Sequence, residues 1–241
     1  RAMAGIQGKC PEWPARGDGT IAGLVESMRL NNIEKSAVCS VATRPGQSDG
    51  ICRWLDEVMG KYDCFIPVAS LNPDDENPRE WMKKFRRQGI SVLKLHPMYQ
   101  NFVADEEKMF AIYDAASDEG IVVEFHSGKD MGFPDDPMPD RAAPYRFARV
   151  AEKFPQMKIL LAHMGGFLAW NDVEKELVGS NTWFETSFGP THMPKEQFIR
   201  LVRNHGDDKI CFGSDWPWIG QGELWQNVLD CNLGEAANER I

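Results

Sequence analysis

The sequence predicts an α/β fold built on one parallel sheet. Two observations predict it. Short apolar runs alternate with longer amphipathic stretches along nearly the whole chain. The runs also lack in–out alternation, which suits strands covered on both faces.

Taken in order, the runs are "SAVCSVA" (36–42), "CFIPVASL" (64–71), "SVLKLHP" (91–97), "IVVEFHSG" (121–128), "KILLAHMGG" (158–166), "TWFETSFG" (182–189) and "KICFGSDWPW" (209–218). Their length and β-branched content predict strands. The stretches between them carry helix start and stop signals. Ile21, Leu24, Val25 and Met28 share one helical face after Thr20. Asn77 is placed to cap a helix that has Pro78 at its first position, with Trp81, Met82 and Phe85 facing inward and Gly89 ending it. Met109, Ile112, Tyr113 and Ala116 form the next stripe, closed by Gly120. Pro144 and Pro194 open two more helices, the second ending near Gly206.

Strand followed by helix, repeated this way, means a parallel sheet. Seven strands at this spacing predict a (β/α)8 TIM barrel, distorted and with its first strand missing from the chain. The alternative is a doubly wound open sheet. The expected organisation is a single barrel domain over residues 1–241, truncated at both ends, with a gap between the strands at 36–42 and 209–218.

Bulk properties narrow the function. The chain has 241 residues, 42% hydrophobic and 26% charged, ordinary for a globular protein. A net charge of -9 argues against a nucleic-acid partner. No apolar run is long enough for a membrane span, and the opening residues lack a signal-peptide layout. Cys10, Cys39, Cys52, Cys64, Cys211 and Cys231 form no CxxC pair and are read as reduced, in a cytoplasmic protein.

Polar residues collect at the C-terminal ends of the predicted strands: Lys94 and His96, Glu124 and His126, His163, Glu185, and Asp215. In a barrel those ends converge on the active-site face. Residues two apart share a side of a strand, so Lys94 pairs in direction with His96, and Glu124 with His126. Imidazoles and a carboxylate suit zinc, and also iron or manganese. Glycines beside them (Gly128, Gly165, Gly166, and Gly213 before Asp215) are expected to keep the space near the histidines open to backbone and substrate. Lys94 reads either as a Schiff-base lysine or as a partner for Glu124. His96, before Pro97, reads as a turn residue or a substrate contact. His192, His205, Arg44 and Arg141 are expected to be solvated. Trp216, Trp218, Phe167 and Trp170 either pack the loops or line a pocket for a flat substrate. The Pro- and Asp-rich segment 129–146 is longer than a minimal connection and reads as a loop covering the site.

The stretches "VLKLHP", "VVEFHSG", "ILLAHMGG" and "CFGSDWPW" resemble the amidohydrolase superfamily, and within it the amidohydrolase-2 branch. That branch holds metal-dependent hydrolases, lactonases and non-oxidative decarboxylases related to aminocarboxymuconate semialdehyde decarboxylase. The likeness runs in order from about Thr20 to Pro217. It implies that His126 is a metal ligand, that His163 acts on the water or substrate beside the metal, and that Asp215 is both ligand and general base. The branch also carries an Asp-x-His-x-His signature on its first strand, and no HxH occurs in this chain.

The expected activity is therefore that of a metal-dependent hydrolase. Water is activated for attack on an ester, lactone or amide of a small organic substrate. Catalysis is expected from Asp215 and His163, metal binding from His126, Asp215 and His163, and substrate binding from Lys94, His96 and Trp216. Zinc is the expected ion, held weakly or not at all if part of the ligand set lies outside the chain. Non-oxidative decarboxylation is the alternative reaction, and an inactive barrel acting as a binding protein the alternative outside catalysis. The expected partners are a small-molecule substrate and, among proteins, a second copy in a homodimer.

Overall fold

A computed structural model describes Gly8 and residues 13–241. Cys10 lies outside the described residues. Seven strands form one sheet: β1 (Ser36–Cys39), β2 (Phe65–Ala69), β3 (Val92–Leu95), β4 (Val122–Phe125), β5 (Ile159–Leu161), β6 (Thr182–Glu185) and β7 (Ile210–Cys211). Their order in space is their order in the chain, and every neighbouring pair is parallel. The sheet curls, because residues of β1, β3, β4, β5, β6 and β7 line one shared cavity. It does not close. Among the described residues β1 and β7 do not pair, so a seam stands where the gap was expected.

Helices follow the strands as the sequence predicts. α1 (Ile21–Leu30) is capped by Thr20, whose hydroxyl accepts the Gly23 N–H at 3.0 Å. α2 (Ser48–Met59) and α3 (Pro78–Arg87) bury Leu55, Met82 and Phe85 against the sheet layer. α4 (Phe110–Asp118) and α5 (Pro144–Lys153) bury Ile112, Tyr113 and Phe147. α6 (Trp170–Glu176), α7 (Gly189–His192), α8 (Lys195–His205), α9 (Gln221–Asp230) and α10 (Glu235–Arg240) complete the run. Gly89 and Gly120 end α3 and α4 with positive φ, which only glycine adopts freely. No helix among the described residues is long and apolar enough to cross a membrane.

Several expectations need correction. Asn77 stands at the N-cap position of α3 but in a left-handed conformation (φ 58°), and its side chain caps nothing. β1 is not buried on both faces. Its residues alternate between half-buried and exposed, because it borders the seam and, among the described residues, pairs with a neighbour on one side only.

His205 is buried rather than solvated: its Nε2–H donates to the Thr182 carbonyl at 2.9 Å, and its ring stacks on Phe184 at 3.9 Å. Arg141 is buried too. Its Nε and Nη2 grip the Asp136 carboxylate at 2.8 and 2.9 Å, and its Nη1 donates to Asn101 Oδ1 at 3.2 Å. A guanidinium satisfied this fully is not free to hold a substrate carboxylate. Arg44 is exposed, as expected.

The glycines beside the histidines do not leave space for a ligand. A Cβ on Gly165 would lie 3.0 Å from Phe184, and one on Gly166 would lie 3.0 Å from Val173. One on Gly128 would lie 2.1 Å from the Phe167 amide nitrogen. These glycines let the chain pack against itself: Gly128 and Phe167 form a lone parallel bridge between the loops after β4 and β5.

Candidate active site

A cavity of 1140 Å³ opens where the strand ends converge and runs on along the seam between β1 and β7. Lys94, His96, His126, His163, Asp215 and Trp216 all line it. His96 and His126 follow β3 and β4 directly, His163 lies two residues after β5, and Asp215 lies four residues after β7.

Three imidazoles stand in a row. The His96 and His126 rings stack at 4.2 Å with 16° between their planes. His126 Nδ1 lies 3.1 Å from His163 Nε2, and His126 Nε2 lies 3.0 Å from the Lys129 carbonyl. His96 Nε2 pairs with Asp130 at 3.2 Å, and His96 Nδ1 accepts the Tyr99 amide at 3.3 Å. Burial lowers the pKa of all three rings, so a neutral imidazole is the resting form. For His126 the neighbouring His96 adds repulsion. For His96 the Asp130 carboxylate partly offsets the desolvation. Asp130 itself is held below the usual carboxylate range, because its bond to His96 and the nearby imidazoles outweigh its own burial.

His163 occupies a tight turn. It and Met164 both have positive φ (59° and 54°), an uncommon conformation for residues with a Cβ. β6 holds that turn in place: Glu185 Oε1 accepts the His163 amide at 2.6 Å, and the Glu185 carbonyl accepts the Met164 amide at 2.7 Å. Trp170 donates its indole N–H to the His163 carbonyl at 3.0 Å. Strain held by several bonds at one residue is common at functional sites.

On the sheet below, Lys94 and Glu124 are opposite each other in the β3–β4 register and form a buried ion pair at 2.7 Å. Burial alone would lower the Lys94 pKa, but Glu124 and the neighbouring carboxylates raise it, so the ammonium keeps its charge. Of the two readings for Lys94, the structure therefore places it as the partner of Glu124. Cys39 donates its thiol toward the same carboxylate, at 3.5 Å. The described cysteines are all free thiols. Asp215 is open to the cavity yet surrounded by protein, and this desolvation raises its pKa to about 7, with repulsion from Glu185 adding and Lys94 opposing.

Donor atoms of His96, His126 and Asp130 all lie within 4.8 Å of one another. His163 touches His126, while Asp215 stands on the cavity wall outside that cluster. Sequence reasoning missed Asp130 and Ser187. Asp130 lies four residues after His126 in a loop, where no periodicity points at it. Ser187 had a usable clue: two residues after Glu185, it faces the same way as that carboxylate. Trp216 lines the cavity and packs on the chain at Gly17. A second aromatic wall, also unforeseen in full, brings Trp13, Phe167, Phe188 and His192 together beside His163. Phe188 lies 5.3 Å from the His163 ring, and Trp13 stacks on His192 at 4.4 Å.

A family model described as amidohydrolase matches residues 38–234. No curated protein matches the chain. Among solved structures, the chain is similar to an uncharacterized TIM-barrel protein from Bordetella bronchiseptica (19% identity, 92% of this chain and 79% of that one, TM-score 0.70). It is also similar to a 5-carboxyvanillate decarboxylase from Novosphingobium aromaticivorans determined with manganese and 3-methoxy-4-hydroxy-5-nitrobenzoic acid (14% identity, 90% and 77% covered, TM-score 0.70). A third is a probable 2-pyrone-4,6-dicarboxylic acid hydrolase from Acinetobacter baumannii (12% identity, 93% and 86% covered, TM-score 0.68). At these identities the likeness is one of fold.

Proposed function

The chain belongs to the amidohydrolase family, and from that membership we propose that it is a metal-dependent enzyme that removes the carboxyl group of a small aromatic acid without oxidation. The observation that carries this reading is the cavity's two-sided lining. An aromatic wall of Trp13, Phe167 and Phe188 stands against His163, next to an imidazole–carboxylate cluster. Such a wall suits a flat ring, and the polar end suits the acid or hydroxyl it carries. The manganese-bound decarboxylase of the same fold supports the choice.

The residues present fit a divalent ion. Two neutral imidazoles and an ionised carboxylate, His96, His126 and Asp130, are a ligand set that manganese or zinc accepts. Held there, the ion would act as a Lewis acid on a substrate oxygen. The rest falls to side chains of this chain. His163, fixed by β6, borders both the aromatic wall and His126, and orients the substrate. Asp215, whose pKa burial raises to about 7 in the metal-free chain, is the carboxyl placed to hold the proton. As the carboxylate leaves as carbon dioxide, the electron pair of the broken C–C bond stays on the ring carbon and takes that proton. Asp215 is left ionised.

Hydrolysis is the second reading, favoured by the pyrone hydrolase neighbour. An ionised Asp215 would then take a proton from water attacking an ester, lactone or amide, with His163 polarising the carbonyl. The two readings separate by product. Aromatic acids bearing a neighbouring hydroxyl, incubated with manganese-loaded protein, are expected to release carbon dioxide. A ring-opened or cleaved acid from a lactone, with no carbon dioxide from any aromatic acid, would favour hydrolysis.

A further inference from the structure

The aromatic wall of the cavity is assembled from separate stretches of chain, and one of its rings stands at the end of a short strap. Residues 13–20 lead into α1, and Trp13 is their tip. The base of the strap is fastened to the loop after β7 and to α1. Arg16 donates its amide to the Pro217 carbonyl at 2.6 Å, and Gly17 lies so close to the Trp216 indole that a Cβ there would stand 2.4 Å from it. Asp18 Oδ1 accepts the Thr20 amide at 2.9 Å and the Thr20 hydroxyl at 2.8 Å. Trp13 is held differently. Among the described residues it makes no hydrogen bond, and its ring is placed by three others. Phe167 and Phe188 meet it at 5.9 and 5.8 Å, with planes 84° and 47° apart. His192 lies nearest, its ring stacked on the indole at 4.4 Å with 20° between the planes. We propose that Trp13 is a specificity-determining residue, the surface on which a flat substrate ring packs, and that His192 is the positioning residue that keeps it in the cavity wall.

Two features give His192 that role. The first is its mounting. His192 ends α7, whose first residue, Gly189, is buried against the turn that carries His163. A Cβ on Gly189 would stand 2.6 Å from the Met164 side chain. α7 is therefore seated on that turn, and contact fixes its distance from His163. The second feature is the side from which His192 approaches. It is exposed to solvent, while Trp13 is half-buried and lines the cavity. The Trp13 ring turns about two side-chain bonds, and other staggered rotamers would carry it out of the wall. A ring laid nearly parallel against it from outside restrains both. The wall then discriminates by shape. A planar ring gains offset-stacked or edge-to-face contact with Trp13, Phe167 and Phe188, whereas a puckered ring of the same charge packs less closely and has no π-face to offer. Without His192 the indole is free to leave its place, and the preference for flat rings falls with it.

This inference rests on the reading of the cavity as the site for a small aromatic acid, and a pair of probes tests it apart from the reaction. Benzoate and cyclohexanecarboxylate carry the same charge on rings of the same size, one flat and one puckered. NMR titration gives a dissociation constant for each, without any turnover. The parent is expected to bind benzoate about tenfold more tightly than cyclohexanecarboxylate. Trp13→Ala is expected to remove most of that preference. His192→Ala is expected to cut it to about threefold or less, and His192→Phe, which restores a ring face, to return it to the parent's. A mere loss of stability would weaken both acids alike and leave their ratio unchanged. A folded His192→Ala or Trp13→Ala protein with the parent's ratio overturns the inference alone. A parent that binds both acids equally overturns the aromatic reading, and this inference with it. A ratio that is lost and restored as expected, in a protein that releases carbon dioxide from no aromatic acid, supports the inference and overturns the decarboxylase reading alone.

Discussion

Asp215 is the residue whose behaviour is most readily tested. Its folded pKa of about 7 lies above its ordinary value of 3.8, so between those limits the folded chain binds a proton that the unfolded chain has released. Its contribution to stability is complete below about pH 4 and is lost as pH rises through 7. Asp215→Asn is expected to flatten that part of a melting-temperature profile of the metal-free protein, and to abolish turnover with the fold intact. Turnover within a few-fold of the parent would remove Asp215 from the chemistry. Lys94 and Glu124 call for a different expectation. Removing one member of a buried ion pair strands the other, so Lys94→Met should cost about 3–5 kcal/mol. The double variant with Glu124→Leu should recover much of it, as chemical denaturation would show. The polar residues closing the strands were legible because chemistry-bearing side chains ended apolar runs. The groups that hold the histidines in place were not. Ser187 meets His163 and Asp130 meets His96 through contacts 24 and 34 residues away in the chain, and no local pattern encodes those.

At the level of elements, the strands and most helices were legible, for one reason. Burial on both faces forces continuous apolar runs, and helix ends need glycine, proline or a capping hydroxyl. α1 and α3 illustrate this: the Thr20 hydroxyl caps α1, and Met82 and Phe85 face inward as their spacing requires. Phe85→Ala should therefore destabilise by about 3–5 kcal/mol, measured by denaturant unfolding. The connections were read less well. Glycines that seemed to clear room for a ligand instead let loops touch, and the Gly128–Phe167 bridge is the sharpest case. Gly128 has φ +85° and no room for a Cβ. Gly128→Ala should cost about 1–3 kcal/mol and move His126, two residues away, enough to weaken metal uptake. Unchanged uptake in a folded variant would separate that bridge from the site.

For the molecule as a whole, the open seam is the dominant feature. Among the described residues, β1 and β7 each have one edge without a strand partner, and the cavity reaches between them. Outward amides of these two strands should exchange with deuterium more than about tenfold faster than those of β3 to β5, which are paired on both sides. Equal protection across the sheet would mean the seam is closed in solution. The (β/α) repeat was legible across the chain. The seam was legible too, as the absence of one strand from the series. The loop after β4 adds a consequence of another kind. Arg141 clamps Asp136 within that loop, and Arg146 at the start of α5 ties Asp140 to Asp105, so the C-terminal half of the loop is fastened to α5. Fastened there, the loop is expected to stay in place through the catalytic cycle. Traffic of substrate and product is left to the doorway beside β1. Turnover should then be insensitive to solvent viscosity, and crowding that doorway, for instance with Ala37→Trp at the exposed β1 residue that lines it, should slow entry far more than the chemical step.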